Sequence, residues 1–324
     1  MATRSIPATG LALAALVFTF ATLRGAQVCA AGLQASTRSD FSIIGEDESV
    51  DSPALGGSLS YSLYLPPGYA PANGPYPVIY LLHGVGGDRH DWLNYGRLRE
   101  TADRLIADRT IPPVLIVMPD GAVSWWVDSG DVAGPGNYDT AVDRDLVVGI
   151  ERRYAVRSDA QGRAVGGLSM GAYGALRFAL RLPRRYAAAA GLSPALWARI
   201  QPDTPSDERL QRVFRGSFGT PFHAGRFVGQ SPLAMIDGMA KESSKPSVLL
   251  VVGSRDFPSL RSDTEELSAR LNRAGLATRY EMKDGGHDWQ LWAAALPDVL
   301  RYLGGALLDP LRDPVHHGQL ERAQ

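Results

Sequence analysis

The sequence predicts an α/β fold built around a mostly parallel, doubly wound sheet. Three stretches are continuously apolar, as strands buried on both faces of a sheet are, and each is followed along the chain by a helical pattern: residues 76–82, 114–120 and 247–253. A fourth apolar run, residues 163–168, ends at a serine and continues with helical spacing. This alternation of strands and helices is typical of a parallel sheet covered by helices on both faces.

Length and composition describe an ordinary globular protein. The 324 residues are 45% hydrophobic and 21% charged, and the formal net charge is −1. Because there is no surplus of basic residues, we expect no binding to nucleic acid. No Gly/Ser linker, charge block or internal repeat divides the chain, so we predict one main domain over residues 40–304, followed by a flexible tail over residues 305–324.

The first 31 residues have the pattern of a secretory signal peptide. Arg4 supplies a positive charge, residues 11–20 are apolar, and small residues allow cleavage after Ala30 or Ala31. An uncleaved membrane anchor is the alternative, but the apolar run is shorter than the roughly 20 residues that span a bilayer. We therefore expect a secreted or periplasmic protein without stable membrane insertion after cleavage.

Cleavage at that point would also remove Cys29, the single cysteine of the chain. The mature protein would then have no thiol nucleophile, no disulfide and no cysteine-ligated metal. The pair His316 and His317 lies in the predicted tail, and we assign it no metal. We expect neither a metal ion nor a cofactor.

The first strands lead to a glycine-rich turn. Residues 59–65 alternate between apolar and polar side chains and predict a half-exposed edge strand, whereas residues 76–82 predict a strand buried on both faces. The second strand runs into a turn, residues 83–87, whose backbone N–H groups can approach a ligand. We assign the Val85 N–H to an oxyanion hole and expect the His83 side chain to be hydrogen-bonded in a structural role.

A long loop rich in glycine separates the next strand from the next helix. A helical pattern over residues 88–109 and a buried strand over residues 114–120 precede this loop, and a helix over residues 139–154 follows it. The loop contains Trp125 and Trp126. At the carboxyl end of a strand these indoles are well placed to line a substrate cleft. The alternative is that they only pack the loop against the sheet.

The apolar run of residues 163–168 breaks at Ser169. Gly167 and Gly171 flank this serine in a G-x-S-x-G pattern, which is typical of a strained strand-to-helix turn that exposes the hydroxyl. The helix predicted to begin at Met170 directs its free N–H groups toward that hydroxyl, so the Met170 N–H is the second candidate for the oxyanion hole. The alternative is a serine in a glycine-rich turn that merely packs a strand on a helix.

Residues 195–245 interrupt the alternation of strands and helices. A strand of small residues, 186–192, comes before them, and the segment itself is irregular and rich in Pro, Gly, Asp and Arg. We interpret it as a lid-like insertion that folds over the active site. A long surface excursion is the alternative.

The last two predicted strands end in candidate catalytic residues. Residues 247–253 predict a buried strand, and Asp256 stands just past its end. A strand over residues 277–282 leads through two glycines to His287. Because the carboxyl ends of parallel strands gather functional groups at one edge of a sheet, we expect both side chains to converge with Ser169.

These three residues predict acyl transfer by a serine nucleophile. A serine needs a base to accept its proton and a carboxylate to orient that base, and the chain order serine, aspartate, histidine is one that hydrolases use. We assign Ser169 as the nucleophile, His287 as the base and Asp256 as the orienting acid. Three nearby carboxylates are alternatives for the acid: Asp263, Asp284 and Asp288.

Three motifs together resemble the Putative esterase family of the α/β-hydrolase superfamily: residues 81–87, 167–176 and 285–292. That family groups esterase D or S-formylglutathione hydrolases, feruloyl esterase domains and bacterial mycolyltransferases. The resemblance extends over roughly residues 41–303 and implies the α/β-hydrolase fold with the three catalytic roles assigned above. Ala172, where many relatives have a second glycine, is a departure that leaves the serine turn intact.

The leading hypothesis for function is an exported serine carboxylesterase that cleaves acyl or aryl esters, including small-molecule and carbohydrate-linked esters. Export argues against the cytosolic thioester of glutathione as substrate. An acyltransferase of mycolyltransferase type, in which a sugar hydroxyl replaces water, is the second hypothesis. The third is a non-catalytic cell-surface binding protein, whose expected signature is the loss of a catalytic residue. The sequence predicts no oligomeric state.

Overall fold

One sheet of eight strands organises the part of the chain that the structure, a computed structural model, describes: residues 41–130 and 133–308. The strands are β1 (Ile43–Ser52), β2 (Gly57–Leu65), β3 (Val78–Leu82), β4 (Leu115–Pro119), β5 (Arg163–Leu168), β6 (Ala188–Leu192), β7 (Ser247–Gly253) and β8 (Thr278–Lys283). Their order in the sheet is β1-β2-β4-β3-β5-β6-β7-β8. Since β2 is antiparallel to both neighbours and every other pair is parallel, the predicted α/β fold with a mostly parallel sheet is confirmed.

Ten α-helices lie in the same described residues. They are α1 (Asp91–Asn94), α2 (Leu98–Ala107), α3 (Tyr138–Thr140), α4 (Val147–Arg153), α5 (Met170–Arg181), α6 (Glu208–Phe214), α7 (Ala224–Gln230), α8 (Pro232–Met239), α9 (Pro258–Arg273) and α10 (Trp289–Ala306). A π-helical segment, Ala141–Leu146, joins α3 to α4, so these form the single helix expected over residues 139–154. Helix α10 ends at Ala306, two residues beyond the end predicted for the main domain, and most of the predicted tail lies outside the described residues. The predicted signal peptide with Cys29, and the histidine pair of the tail, lie outside the described residues.

Alternate residues of β3 enter two separate cores. Val78, Tyr80 and Leu82 pack in one core with side chains of α4 and α5. Ile79 and Leu81 pack in the other, with side chains of α2 and α10. Successive residues of a strand point to opposite faces of the sheet, and here helices cover both faces. This is why the sequence of β3 is continuously apolar.

The position of β2 differs from the prediction. We expected residues 59–65 to form a half-exposed edge strand, but β2 pairs with both β1 and β4, and β1 is the edge. The polar groups that suggested exposure have internal partners: the Ser62 hydroxyl donates to the Glu46 carbonyl at 3.0 Å, and the Tyr64 hydroxyl donates to Asp103 at 2.8 Å. Their alternation therefore reflects satisfied polar groups inside the protein and not contact with solvent.

The helix expected over residues 88–109 is broken into α1 and α2. The break lies at Gly96 and Arg97, and Arg97 has a φ of 55° in the left-handed region. A Cβ at Gly96 would lie 2.6 Å from the carbonyl oxygen of Trp92. The chain therefore turns here at a glycine that closely approaches the preceding helix.

The insertion between β6 and β7 contains helices α6, α7 and α8. Four aromatic side chains of the insertion are buried: Phe214, Phe218, Phe222 and Phe227. They form one cluster with two rings of the main domain, Trp125 and Tyr173. The hydroxyl of Tyr173, on α5, also donates to the carbonyl of Gln230 at 3.1 Å. The segment is thus held to the main domain by a buried aromatic core, and its lid-like position over the active site stays a prediction.

Across residues 41–130 and 133–308, we find no helix with the length and apolar content required to cross a membrane.

Candidate active site

The predicted nucleophile lies in a sharp turn between β5 and α5. Ser169 has φ 52° and ψ −114°, a conformation that few non-glycine residues adopt. A Cβ at Gly167 would lie 2.4 Å from the carbonyl of Gly171, and a Cβ at Gly171 would lie 2.3 Å from the carbonyl oxygen of Leu82. Both glycines are therefore required by the close approach of backbones that holds the serine in this turn.

The structure brings the three predicted catalytic side chains into hydrogen-bond contact. Nε2 of His287 lies 3.0 Å from the hydroxyl oxygen of Ser169, and Nδ1 of the same ring lies 3.1 Å from Oδ1 of Asp256. Since a carboxylate can only accept, the neutral ring donates from Nδ1 to Asp256 and accepts from the serine hydroxyl at Nε2. The arrangement can remove a proton from Ser169.

Asp256 is the most enclosed member of the group. Its side chain has no exposed surface, and its Oδ1 also accepts from the backbone N–H of Phe257 at 2.8 Å. Burial alone would raise the pKa of the Asp256 carboxyl, but the hydrogen bond from the His287 ring, with a smaller effect of the Ser193 hydroxyl, outweighs burial and holds that pKa below its usual value. The carboxyl is therefore ionised at neutral pH.

The three alternative carboxylates have other partners. Asp263 accepts from the backbone N–H of Ala198 at 3.1 Å, and Asp288 accepts from the N–H of Leu291 at 3.1 Å, where it caps α10. Asp284 is exposed and forms an ion pair with Arg255.

Sequence reasoning missed two residues behind Asp256. Ser193 is fully buried, follows β6 directly and has a φ of 48°. Its hydroxyl accepts from Nε1 of Trp292 at 3.2 Å and helps to lower the pKa of the Asp256 carboxyl. The Trp292 ring also contacts the His287 ring, with centroids 5.1 Å apart and planes at 85°. Trp292 is part of the motif at residues 285–292, but no local pattern indicates that its indole reaches the end of β6.

The two backbone groups predicted for an oxyanion hole lie beside the serine. Met170 is the first residue of α5, where a helix leaves its N–H without an intrahelical acceptor. Val85 follows Gly84, and a Cβ at Gly84 would lie 3.4 Å from the Cβ of Ser169. Within the described residues, neither amide is hydrogen-bonded to a carbonyl or side chain of the protein. That these two N–H groups bind an oxygen near Ser169 stays a prediction.

His83 has the structural position expected for it. The ring is 1% exposed, Nε2 accepts from the N–H of Gly121 at 2.8 Å, and Nδ1 lies 2.8 Å from the carbonyl of Gly84. Burial is the main reason that the pKa of His83 lies below its usual value. The neutral ring connects the turn after β3 to the loop after β4.

The prediction that Trp125 and Trp126 line a substrate cleft is corrected by their burial. They are 1% and 0% exposed, respectively, so neither indole has a surface for a ligand. Trp125 donates from Nε1 to the carbonyl of Val213 at 3.2 Å, which connects it to the insertion. Trp126 packs on α5, where a Cβ at Gly174 would lie 2.5 Å from its Cγ. The loop therefore folds inward, and both indoles pack in the core as the alternative interpretation expected, although their neighbours are α5 and the insertion as well as the sheet.

Access to the site is through a partly open surface. Ser169 is half-buried, and the His287 side chain is 22% exposed. Among the described residues, no group of His, Cys, Asp and Glu side chains is arranged to hold a metal ion. The chemistry that these residues themselves can supply is nucleophilic attack by serine with proton transfer to histidine.

Comparisons with known proteins extend this picture. The model of the family described as "Putative esterase" matches residues 52–303. An esterase of Mycobacterium tuberculosis is 28% identical over 295 residues, which cover 83% of this chain and 60% of that protein. An acetyl esterase of Caldicellulosiruptor saccharolyticus is 26% identical over 235 residues, covering 70% of this chain and 82% of the relative. The chain thus spans 60% of the length of the first of these relatives.

Among solved structures, a ferulic acid esterase is similar with a TM-score of 0.66 and 24% sequence identity, covering 83% of this chain and 99% of the other. This similarity concerns the fold, and it confirms the α/β-hydrolase architecture. The family model covers most of the described residues, including Ser169, Asp256 and His287. The chain therefore belongs to the Putative esterase family.

Proposed function

We propose that the protein is an exported serine carboxylesterase that hydrolyses acyl or aryl esters, including carbohydrate-linked esters, through an acyl-enzyme on Ser169. The observation that carries this proposal is the continuous set of hydrogen bonds from the Ser169 hydroxyl through His287 to Asp256, at 3.0 and 3.1 Å. The names of two similar proteins, an acetyl esterase and a ferulic acid esterase, support ester hydrolysis as the reaction. Export rests on the signal-peptide pattern of residues 1–31.

Acylation begins when the Ser169 oxygen attacks the ester carbonyl carbon. His287 takes the serine proton at Nε2, and the ionised Asp256 stabilises the imidazolium through Nδ1. The carbonyl oxygen becomes an oxyanion, which the N–H groups of Val85 and Met170 bind. Each such donor contributes on the order of 3 kcal/mol to the transition state.

Collapse of the tetrahedral intermediate breaks the bond to the alcohol. The His287 ring returns its proton from Nε2 to the departing alcohol oxygen, which leaves the acyl group on Ser169. Water then enters beside the same nitrogen, loses a proton to it and attacks the acyl carbon. A second collapse releases the carboxylic acid and restores the serine hydroxyl.

The pairing of the buried Asp256 with His287 argues against a non-catalytic binding protein. Placing a carboxylate where it has no exposed surface costs free energy unless charged or polar partners compensate for it. The main contact of this carboxylate is with His287, which it orients toward Ser169, and ligand binding alone does not require that orientation. An acyltransferase would use the same residues with a sugar hydroxyl in the place of water, so products must distinguish the two reactions.

Hydrolysis of 4-nitrophenyl acetate tests the proposal. We expect turnover by the wild type, covalent labelling of Ser169 by a fluorophosphonate, and loss of both in Ser169→Ala with an unchanged melting temperature. Ser254→Ala, at a partly exposed serine after β7, is the matched control and should retain activity. A wild type that is neither labelled nor active would refute the esterase. Transfer of the acetyl group to an added sugar faster than to water would replace it with the acyltransferase.

Export has a separate test. Expressed from its full sequence in a bacterial host, the protein should appear outside the cytoplasm with residue 31 or 32 at its amino terminus. A full-length protein retained in the cytoplasm would contradict export without affecting the esterase proposal.

A further inference from the structure

An exposed aromatic side chain lies against the proposed catalytic base. Phe257 follows Asp256 directly, and its side chain is 61% exposed. Its ring centroid lies 5.5 Å from that of His287, with 49° between the ring planes. The other aromatic neighbour of this imidazole, Trp292, is 7% exposed. His287 therefore has one buried aromatic neighbour and one that faces solvent.

A second exposed apolar side chain lies close to the reactive serine. Seven large hydrophobic side chains are exposed among the described residues. One other of the seven also lies near the site: Val85, in the turn beside Ser169, is 49% exposed. Single exposed hydrophobic residues are common, but two of them beside the reactive side chains present an apolar surface to a ligand.

The direction of proton transfer identifies which part of an ester meets Phe257. The alcohol oxygen must lie next to Nε2 of His287, because it receives its proton from that atom. The alcohol part of the ester therefore extends along the imidazole. Phe257 is the exposed ring in contact with that imidazole, so its free face is available to the alcohol and not to the acyl group.

We propose that Phe257 is the platform for the alcohol part of the ester and selects neutral alcohols that carry a flat apolar ring face. An aryl ring and the C–H face of a sugar ring share this chemistry. The inference rests on the proposed esterase function and names the class of alcohol for the same site. Phe257 is a specificity-determining residue that takes no part in proton transfer.

The charges near Phe257 favour a neutral ligand. Arg255 forms an ion pair with Asp284, and Arg261 donates to the carbonyl of Ser254 at 2.8 Å. The Arg255 charge is balanced by that of Asp284, and attraction between exposed charges is weak in water, so an alcohol bearing a phosphate or carboxylate gains little from this pair.

The side chain of Phe257 can be removed without altering the support of Asp256. The contact to Asp256 is made by the backbone N–H of residue 257, which an alanine retains. Residue 257 also precedes α9 as its N-cap, where no side-chain hydrogen bond is made. Phe257→Ala therefore tests the ring alone, and Phe257→Leu retains an apolar side chain without the aromatic face.

The test is a grid of esters that combines two acyl groups with three alcohols. Acetyl and butyryl esters of ethanol, phenol and methyl glucoside are compared for the wild type and Phe257→Ala. We expect the variant to lose about 3- to 10-fold in kcat/KM, through KM, on the phenyl and glucoside esters with either acyl group. Ethyl esters should change less than about 2-fold, and Phe257→Leu should fall between. The size of the loss on phenyl against glucoside esters distinguishes an aryl from a sugar alcohol.

Single-turnover kinetics add a second readout. The rate constant for deacylation should be the same in wild type and variant, because the alcohol has already left. Phe41→Ala is the matched control: Phe41 is 76% exposed and precedes β1 at the opposite edge of the sheet, and its removal should change no kinetic parameter.

Two results would overturn the inference while leaving the esterase intact. One is an equal loss on all three alcohols, which would show that the ring only supports Asp256 or His287. The other is a loss in kcat/KM that differs between acetyl and butyryl esters and does not depend on the alcohol. A wild type inactive on every ester would instead refute the proposed function, and this inference with it.

Discussion

The indole Nε1–H of Trp292 donates a hydrogen bond of 3.2 Å to the buried hydroxyl oxygen of Ser193. Because the Ser193 oxygen accepts this bond, the hydroxyl is oriented by α10, and the same hydroxyl helps to lower the pKa of the Asp256 carboxyl. The relationship connects α10, which follows His287, to the end of β6 and to the carboxylate after β7. Helix packing and the orientation of the proposed catalytic acid are thus coupled through one hydroxyl.

Trp292→Phe should weaken this support without opening a large cavity. The phenyl ring retains an aromatic contact to His287 but lacks the N–H, and a lost hydrogen bond costs about 1 kcal/mol. We expect kcat/KM for 4-nitrophenyl acetate, and the rate of labelling by a fluorophosphonate, to fall about 5-fold, with KM little changed. Trp289→Phe is the control, since Trp289 packs in the same helix and its ring contacts Trp92 at 5.4 Å. Equal losses in both variants would assign the effect to packing and not to the hydroxyl.

Asp256→Asn should abolish most of the activity. An amide in this position disfavours the His287 tautomer that accepts from Ser169, and loss of the orienting carboxylate costs on the order of 10⁴ in kcat. Asp284→Asn is a matched control because Asp284 lies close in sequence to His287 but is paired with Arg255. The kcat values of both variants, measured by steady-state kinetics on the same ester, show which of the two carboxylates is needed. If Asp256→Asn were near wild type, the assignment of the acid would be wrong.

His83 should make the protein less stable at acidic pH. Burial lowers the pKa of His83 in the folded state, while the unfolded chain binds a proton near pH 6.5. Below that pH the unfolded state binds more protons, so the contribution of His83 to the free energy of unfolding is complete above about pH 6.5 and is lost as the pH falls. Urea unfolding of wild type and His83→Gln between pH 5 and 8 measures this difference.

The difference in unfolding free energy between these two proteins should shrink toward pH 5. A glutamine can replace one of the two hydrogen bonds, to Gly121 or Gly84, but cannot titrate. A difference that is constant over the whole range would show that His83 binds a proton in the folded protein, with Asp120, 3.9 Å from Nε2, as the adjacent carboxylate.

Phe214→Ala should destabilise the whole protein. Phe214 is 1% exposed, and its ring lies 4.7 Å from both Trp125 and Phe222. Removing a buried phenyl ring costs about 3 to 5 kcal/mol. Chemical denaturation measures this loss, and Phe257→Ala, at an exposed ring, should cost less than about 0.5 kcal/mol. A small effect of Phe214→Ala would mean that the insertion moves independently of the main domain.

Periodicity, chain order and the G-x-S-x-G pattern together predicted most of the fold and the position of the candidate site. The run that became β3 is apolar because both of its faces are covered, and a residue just past the end of a parallel strand has only one edge of the sheet to occupy. For this reason Ser169, Asp256 and His287 could be identified without coordinates. Their catalytic roles remain predictions that the variants above test.

What the sequence could not provide was the partner of each side chain across the fold. A glycine-rich loop with Trp125 and Trp126 has the same local pattern whether its indoles face a cleft or the core, and the aromatic rings of the distant insertion are what cover Trp125. Likewise, the serine and tyrosine hydroxyls of β2 resemble solvent-facing positions until β1 supplies the carbonyl that accepts from Ser62. The tertiary structure alone brought Trp292 to Ser193 and placed the exposed ring of Phe257 against His287, because such contacts join residues far apart in the chain, and local periodicity contains no information about them.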